Sequence, residues 1–109
     1  MSNLISALNA NGMLHANASS NVANLNTEDY KSIKTTLTSG ANGEIETVTV
    51  RDDTPGVPTE DGKSSSNVDL SKEFSDMILA QRGFEAALTA ISTREEMLND
   101  LMRVFKNND

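Results

Sequence analysis

The chain has 109 residues, a net charge of −7 and no cysteine. This length allows one small domain, and the acidic charge argues against nucleic acid as a partner, because phosphate backbones require basic patches. The lack of cysteine excludes disulfides and thiolate metal sites, and no apolar run approaches the roughly 20 residues that span a bilayer.

The first predicted element is a helix in the N-terminal segment, residues 1–27. Seven positions, five of them apolar, fall there at alternating steps of four and three residues, a spacing typical of a helix face that packs on another helix. Asn and Ser are frequent in this segment and are poor helix formers, so we expect the helix to need a partner on its apolar side. The positions are Leu4, Leu8, Asn11, His15, Ala18, Val22 and Leu25.

The middle segment, residues 28–66, is predicted to form a small β-hairpin followed by a loop. Residues 32–37 are β-prone, and residues 44–50 alternate polar with apolar side chains. The sequence Gly40-Ala41-Asn42-Gly43 between them is typical of a hairpin turn. Pro55 and Pro58 prevent regular helix in the loop. A two-stranded hairpin is marginally stable alone, so it must pack on the helices or on neighbouring subunits.

The third segment, residues 67–109, is predicted to be one long helix with a continuous stripe of apolar side chains. Eleven positions at alternating steps of four and three define this C-terminal seam, and nine are apolar or aromatic. Their mean spacing of about 3.5 residues is that of helices that supercoil around partners. The seam therefore predicts packing of helices, within the chain or between chains. Its members are Leu70, Phe74, Met77, Gln81, Phe84, Leu88, Ile91, Glu95, Leu98, Met102 and Phe105.

Several polar residues and one glycine of this helix allow two interpretations each. Gln81 and Glu95 either fix the register of helix pairing or face solvent. Arg82 either makes a two-pronged contact with a neighbour's carboxylate or lies solvated. Gly83 is either tolerated, at about 1 kcal/mol relative to Ala, or marks the close approach of a second backbone.

The two ends of the chain carry motifs that resemble a known family. The run Ser20-Asn21-Val22-Ala23-Asn24-Leu25-Asn26-Thr27-Glu28-Asp29-Tyr30-Lys31 resembles the N-terminal signature of bacterial flagellar rod and hook proteins. Residues 67–70 and 80–86 resemble the C-terminal block of that family, and Pro55-Gly56-Val57-Pro58 with Asp61-Gly62 resembles the loop of the short proximal rod subunit. The chain departs from the family pattern at Ser20, Glu28, Asp29 and Ala87, and its middle segment is short.

The resemblance implies a mainly α fold in which long N- and C-terminal helices pair as an antiparallel coiled-coil hairpin around a small β-hairpin and loop. It implies a structural subunit of the flagellar basal-body rod, which spans the periplasm. Expected partners are copies of itself, other rod and basal-body proteins and the type III export apparatus. The resemblance implies export through that apparatus without a cleaved signal peptide.

The residues expected at subunit contacts lie on both predicted helices and in the turn after the first. Asn21, Asn24 and Asn26 near this turn either bond the backbones of neighbouring helices at a subunit junction or cap and turn the end of the first helix. The contact set is Leu8, Val22, Asn24, Leu25, Asn26, Tyr30, Leu70, Phe74, Met77, Gln81, Arg82, Phe84, Leu88, Ile91, Leu98, Met102 and Phe105.

Two other functional classes stay open at this point. A coiled-coil adaptor or export chaperone would form a discrete soluble oligomer, and a cap or junction protein of the rod base would occur in few copies. Catalysis is not expected, because the sequence has no phosphate-binding loop and no nucleophile motif. We therefore expect no cofactor, no metal and no small-molecule substrate.

Overall fold

The computed structural model describes residues 2–107, which form two helices joined by a β-hairpin and a loop. In chain order these are α1 (Ser2–Ala23), β1 (Ile33–Ser39), β2 (Ile45–Arg51) and α2 (Leu70–Asn107). The predicted mainly α architecture with a small antiparallel sheet is confirmed. The predicted segments 1–27 and 67–109 also include residues 1, 108 and 109, which lie outside the described part.

The molecule is long and thin, with extents of 80 × 25 × 14 Å. Helix α2 accounts for most of this length, since 38 residues at about 1.5 Å each span roughly 57 Å. Within the described residues, neither helix combines the length and apolar character that crossing a bilayer requires.

Helices α1 and α2 pack side by side through a stripe of small residues. Ala80 and Ala87 are buried on α2, and Ala10 and Ala18 on α1. Between the two buried alanines of α2, Gly83 faces the side-chain amide of Asn11, which occupies the space that a Cβ would need. Small residues let two helices approach closely, so the second interpretation of Gly83 is correct in part. A second helix is close, although its side chain rather than its backbone makes the contact.

The β-hairpin packs one face against α1 and leaves the other face open. Its antiparallel register pairs Ile33 with Arg51 and Leu37 with Thr47. Ile33, Leu37 and Ile45 are half-buried, whereas Val48 and Val50 are exposed. The valines lie an odd number of residues from Ile45, and side chains alternate between faces along a strand, so they point to the opposite face from Ile45.

The loop between β2 and α2 contains a short antiparallel bridge between Pro58 and Ser64. It contains no helix, as the two prolines predict. Asp69 then caps α2, because its carboxylate accepts hydrogen bonds from the backbone N–H groups of Ser71 (3.1 Å) and Lys72 (3.3 Å). This is the geometry of a helix N-cap, and it fixes where α2 begins.

The two helices run in opposite directions, and α2 extends beyond α1. Asn11 lies opposite Gly83, and the end of α1 lies near the beginning of α2. In this register Ser2 is level with about Ser92. Every described residue from Ser92 to Asn107 is exposed. This part of α2, which we call the overhang, has 16 residues and a length of roughly 24 Å.

We predict that Gly83→Ala stabilises the protein only when Asn11 is also shortened. Alanine is favoured over glycine in a helix by about 1 kcal/mol, but its Cβ displaces an Asn11 amide that donates a 2.8 Å hydrogen bond to the Ala7 carbonyl. In an Asn11→Ala background the gain of about 1 kcal/mol is expressed in full. Urea unfolding of the four proteins of this cycle measures the coupling. Equal effects of Gly83→Ala in both backgrounds would contradict the contact.

Candidate assembly surfaces and the polar junction

Most of the C-terminal seam lies outside the contact between the two helices. Leu70, Met77 and Ile91 are half-buried at its edge. The other apolar members are exposed, with relative exposures from 39% at Phe84 to 68% at Met102. These exposed members are Phe74, Phe84, Leu88, Leu98, Met102 and Phe105.

The overhang carries a second exposed apolar row beside the seam. Met97, Leu101 and Val104 are all more than half exposed and follow one another at helical spacing. They continue the side of α2 that faces α1 through Ala80, Gly83 and Ala87, but with large side chains in place of small ones. The overhang is therefore apolar over two adjacent rows.

The polar members of the predicted set on α2 are exposed. Gln81 and Arg82 both face solvent in the single chain, and Glu95 lies on the overhang. Phe84 and Leu88 line an open groove between the helices together with Gly12 and His15. No contact within the described residues selects between the two interpretations of Gln81, Glu95 and Arg82, so both stay open.

Asn21 joins the end of α1 to the beginning of the hairpin and is completely buried. Its Nδ2 donates to the Ile33 carbonyl (2.8 Å), and its Oδ1 accepts from the Ile33 N–H (2.8 Å) and the Tyr30 hydroxyl (3.0 Å). One amide side chain thus satisfies both backbone groups of Ile33, as a neighbouring strand would. A buried amide is tolerated only when its hydrogen bonds are made.

The other predicted residues near the end of α1 lie at different depths. Asn24 closes the helix, since its Nδ2 donates to the Ser20 carbonyl (2.9 Å) and its Oδ1 accepts from the Thr27 hydroxyl (3.0 Å). This is the capping interpretation, within the chain. Asn26 is exposed, and the remaining members, Leu8, Val22, Leu25 and Tyr30, are half-buried. Their role at subunit contacts stays a prediction.

Asn67 provides the second polar clamp, just before α2. Its Oδ1 accepts from the Ser32 N–H (2.6 Å), and its Nδ2 donates to the carbonyls of Asp52 and Thr54 (2.7 Å each). Its own N–H donates to the Tyr30 carbonyl (3.2 Å). Asn67 therefore ties the entrance and the exit of the hairpin to the beginning of α2. We call Asn21, Asn67 and their partners the polar junction.

Asp29 adopts a backbone conformation that is rare for a residue with a side chain. Its φ is +59°, in the left-handed region where Asp and Asn are tolerated better than most residues. Its N–H donates to the Ser64 carbonyl (2.7 Å), and its carboxylate accepts from the Ser64 N–H (2.8 Å). Lys63 adds an exposed ion pair with Glu28 at 3.5 Å. Asp29 thus takes a backbone conformation that glycine adopts most easily, and its carboxylate adds a bond to Ser64 that a glycine could not make.

Two ionisable groups near the junction have shifted pKa values. Hydrogen bonds from Thr54, first from its side chain and then from its backbone, lower the pKa of the Asp52 carboxyl. A hydrogen bond to Asp76 raises the pKa of the Lys72 ammonium, and the two groups form a 2.9 Å ion pair one helical turn apart. Both shifts favour the charged forms of Asp52 and Lys72.

The comparisons with known proteins identify the C-terminal part of the chain. Residues 64–104 match the model of the flagellar basal body rod FlgEFG protein C-terminal family. This range includes the end of the loop, Asn67 of the polar junction and α2 as far as Val104. Through this segment the chain is similar to the flagellar basal-body rod and hook proteins.

Individual relatives come from distant bacteria. The flagellar hook protein FlgE of Borreliella burgdorferi is 46% identical over 39 residues, which are 36% of this chain and 9% of the relative. The flagellar basal-body rod protein FlgG of Bacillus subtilis is 49% identical over 39 residues, 36% of this chain and 15% of the relative. The hook protein FlgE of Escherichia coli is 41% identical over 49 residues, 45% of this chain and 12% of the relative.

The matched stretches thus cover between 9% and 15% of these three relatives. The resemblance to the rod and hook family is confirmed over a short segment. The finer resemblance to the short proximal rod subunit stays a prediction, because these relatives are hook proteins and a FlgG rod protein.

Sequence reasoning left three structural features, which comprise five residues, out of the predicted contact set. Asn21 was visible within a dense run of asparagines, but periodicity does not reveal which amide is buried. Asn67 belongs to the resembled motif at residues 67–70, but that motif does not reveal the hydrogen bonds of its amide. The stripe of Ala80, Gly83 and Ala87 has helical spacing of small residues, and this signal could have located the α1 contact.

We predict that Asn21→Ala lowers the free energy of unfolding by about 2–3 kcal/mol, because it leaves the buried N–H and C=O of Ile33 without partners. Urea denaturation followed by far-UV circular dichroism measures the change. Asn26→Ala is the matched control, since Asn26 is exposed and such substitutions stay within about 0.5 kcal/mol. Equal effects of the two variants would show that the Asn21 bonds carry no stability.

A second prediction concerns the positive φ of Asp29. Asp29→Gly removes both the conformational cost of the positive φ and the hydrogen bond from the Ser64 N–H to the Asp29 carboxylate. These effects oppose each other, so we expect the free energy of unfolding to change by less than about 1 kcal/mol. Asp29→Ala keeps the cost and loses the bond, so we expect a loss of about 2 kcal/mol. Midpoints of urea unfolding compare the two variants. If alanine were tolerated as well as glycine, the left-handed conformation would not be required.

Proposed function

We propose that this chain is a structural subunit of the bacterial flagellar basal-body rod. It assembles when its exposed helix faces pack against those of neighbouring subunits. The observation that carries the proposal is the exposed apolar seam on α2, within the segment that matches the rod and hook family. Its partners are copies of itself and other rod and basal-body proteins.

The packing that we propose extends the α1–α2 pair into a coiled-coil hairpin with neighbours. The antiparallel direction of the helices and the seam spacing of about 3.5 residues support this mode. Helix α1 supports it as well, because the segment Ser2–Ala23 contains no Asp, Glu, Lys or Arg. Covering an uncharged helix costs little desolvation, so α1 is suited to burial inside an assembly.

The energetics favour contacts with several neighbours over a single pair. Burying a large apolar side chain completely is worth about 1.5–3 kcal/mol, so six half-exposed seam residues supply roughly 6 kcal/mol from each copy. Association costs an estimated 4–15 kcal/mol in lost freedom. Two copies that pair through one seam therefore gain roughly 12 kcal/mol against this cost, and a subunit that contacts several neighbours gains more for the same loss of freedom. This balance supports a polymer rather than a discrete dimer.

The location that we propose is the rod, which spans the periplasm, and the route is the flagellar type III export apparatus without a cleaved signal peptide. The family match at residues 64–104 supports a flagellar location. We propose no enzymatic activity and no cofactor, in keeping with a subunit whose role is mechanical.

The direct test is the composition of purified basal bodies. Mass spectrometry of detergent-stripped basal bodies from the source cell should find this chain at a fixed ratio to other rod proteins. A high ratio would indicate repeated rod turns, and a ratio of a few copies would indicate a cap or junction protein. Recovery only from the soluble fraction, as a discrete oligomer, would overturn the rod proposal in favour of the adaptor or chaperone.

We predict that Leu98→Glu abolishes incorporation into basal bodies while the soluble chain keeps its helical content. Leu98 is 52% exposed in the single chain, so a charge there does not disturb the fold but prevents burial against a neighbour. Asn99→Glu is the matched control, because it adds the same charge at the next exposed position, outside the seam. Circular dichroism checks the fold, and immunoblots of purified basal bodies measure incorporation. Normal incorporation of Leu98→Glu would count against the seam as the assembly surface.

A further inference from the structure

The tripeptide Ala-Asn-Gly occurs twice in the chain, in two different structural environments. Ala10-Asn11-Gly12 lies inside α1, and Ala41-Asn42-Gly43 forms the turn of the β-hairpin. The pair is a natural internal comparison, because the residues on both sides of each asparagine are the same. Any difference in the chemistry of the two asparagines therefore comes mainly from structure.

An Asn-Gly sequence can undergo spontaneous deamidation, an intramolecular reaction. The backbone nitrogen of the glycine, once deprotonated, attacks Cγ of the asparagine side chain and forms a new C–N bond. The bond from Cγ to the side-chain nitrogen breaks, and ammonia leaves. Water then opens the five-membered succinimide at either carbonyl and gives aspartate or isoaspartate. The net reaction consumes one water and releases one ammonia, with no oxidant or cofactor.

The hairpin turn leaves Asn42 free to react. Asn42 is exposed, and Gly43 has a φ of +84°, a conformation that glycine leaves easily because it has no Cβ. The Gly43 N–H makes a long turn bond of 3.2 Å to the Gly40 carbonyl. Little structure has to be broken before the Gly43 nitrogen can approach the side chain of Asn42.

Helix α1 protects Asn11 in two ways. Gly12 lies in the helix interior, where its N–H donates to a carbonyl four residues earlier and the rigid backbone holds the nitrogen away from Cγ. The Asn11 amide is also fixed, because it donates to the Ala7 carbonyl (2.8 Å) and lies against Gly83 of α2. Reaction at Asn11 therefore requires local opening of the helix pair.

We propose that Asn42 is a site of spontaneous deamidation in the folded protein, whereas Asn11 is protected. The product adds a negative charge beside Glu44, whose carboxylate accepts a 3.0 Å hydrogen bond from the Asn42 N–H. The isoaspartate form also lengthens the backbone of the turn by one methylene group. The site is independent of the proposed function, since it depends only on the fold of the chain.

Peptide mapping by mass spectrometry tests the proposal on the purified full chain. The protein is incubated in mildly alkaline buffer, with a parallel sample in concentrated urea, and the one-dalton gain at each asparagine is followed over time. Asn42 should react at least about tenfold faster than Asn11 in the folded chain, because α1 must open first. In urea the two rates should converge. Chromatography separates the aspartate and isoaspartate products.

A variant makes the result specific to the turn. Asn42→Gln should abolish the fast mass gain, because glutamine must close a six-membered ring and reacts far more slowly, and it leaves the hairpin intact. Equal rates at Asn11 and Asn42 in the folded chain, or no gain at Asn42, would overturn the proposal. A ratio that stays unchanged in urea would overturn it as well, because the difference would then not come from structure.

Discussion

The bonds of Asn21 to the backbone of Ile33 are the interaction on which the arrangement of this molecule depends. They replace the hydrogen bonds of a missing neighbouring strand and hold the beginning of β1 against the end of α1. Asn67 does the same for the other side of the hairpin, at the entrance to α2. Among the described residues, the buried apolar side chains are those of four alanines, so polar bonds rather than apolar volume specify how the hairpin sits on the helices.

The small core has a counterpart in the large apolar surface of α2. Where α1 covers it, α2 presents Ala80, Gly83 and Ala87, and the two helices approach closely. Beyond the end of α1, the same side presents Met97 and Leu101, which suit a wider separation. One helix thus has a part that packs closely against α1 and a part whose large apolar side chains are exposed. This division supports the assembly role that we propose.

Periodicity and turn chemistry predicted the elements of the fold but not its interior contacts. The two helices and the hairpin follow from apolar spacing and from the glycines at 40 and 43. The C-terminal seam marks the most hydrophobic stripe of α2, and that stripe lies beside the α1 contact. The contact itself is lined by Ala and Gly, which contribute little to a hydrophobic pattern, so periodicity did not locate it. The bonds of Asn21 and Asn67 join residues 12 to 35 positions apart, and local patterns do not record such pairings. Asp29 shows the same limit, since its strained turn depends on Ser64.

The hydrogen bonds between Asp29 and Ser64 join the two ends of residues 29–64, an excursion of the chain that contains the hairpin and most of the loop. Bonds of 2.7 and 2.8 Å hold the two ends of this excursion together. The distance between these ends therefore does not depend on the length of the chain between them. The entropy of closing a loop rises only slowly with its length. The excursion is therefore a place where chain can be added or removed at small cost while the helix pair is preserved. Chains with middle segments of different length can in this way keep the same helix pair and differ in what projects from it.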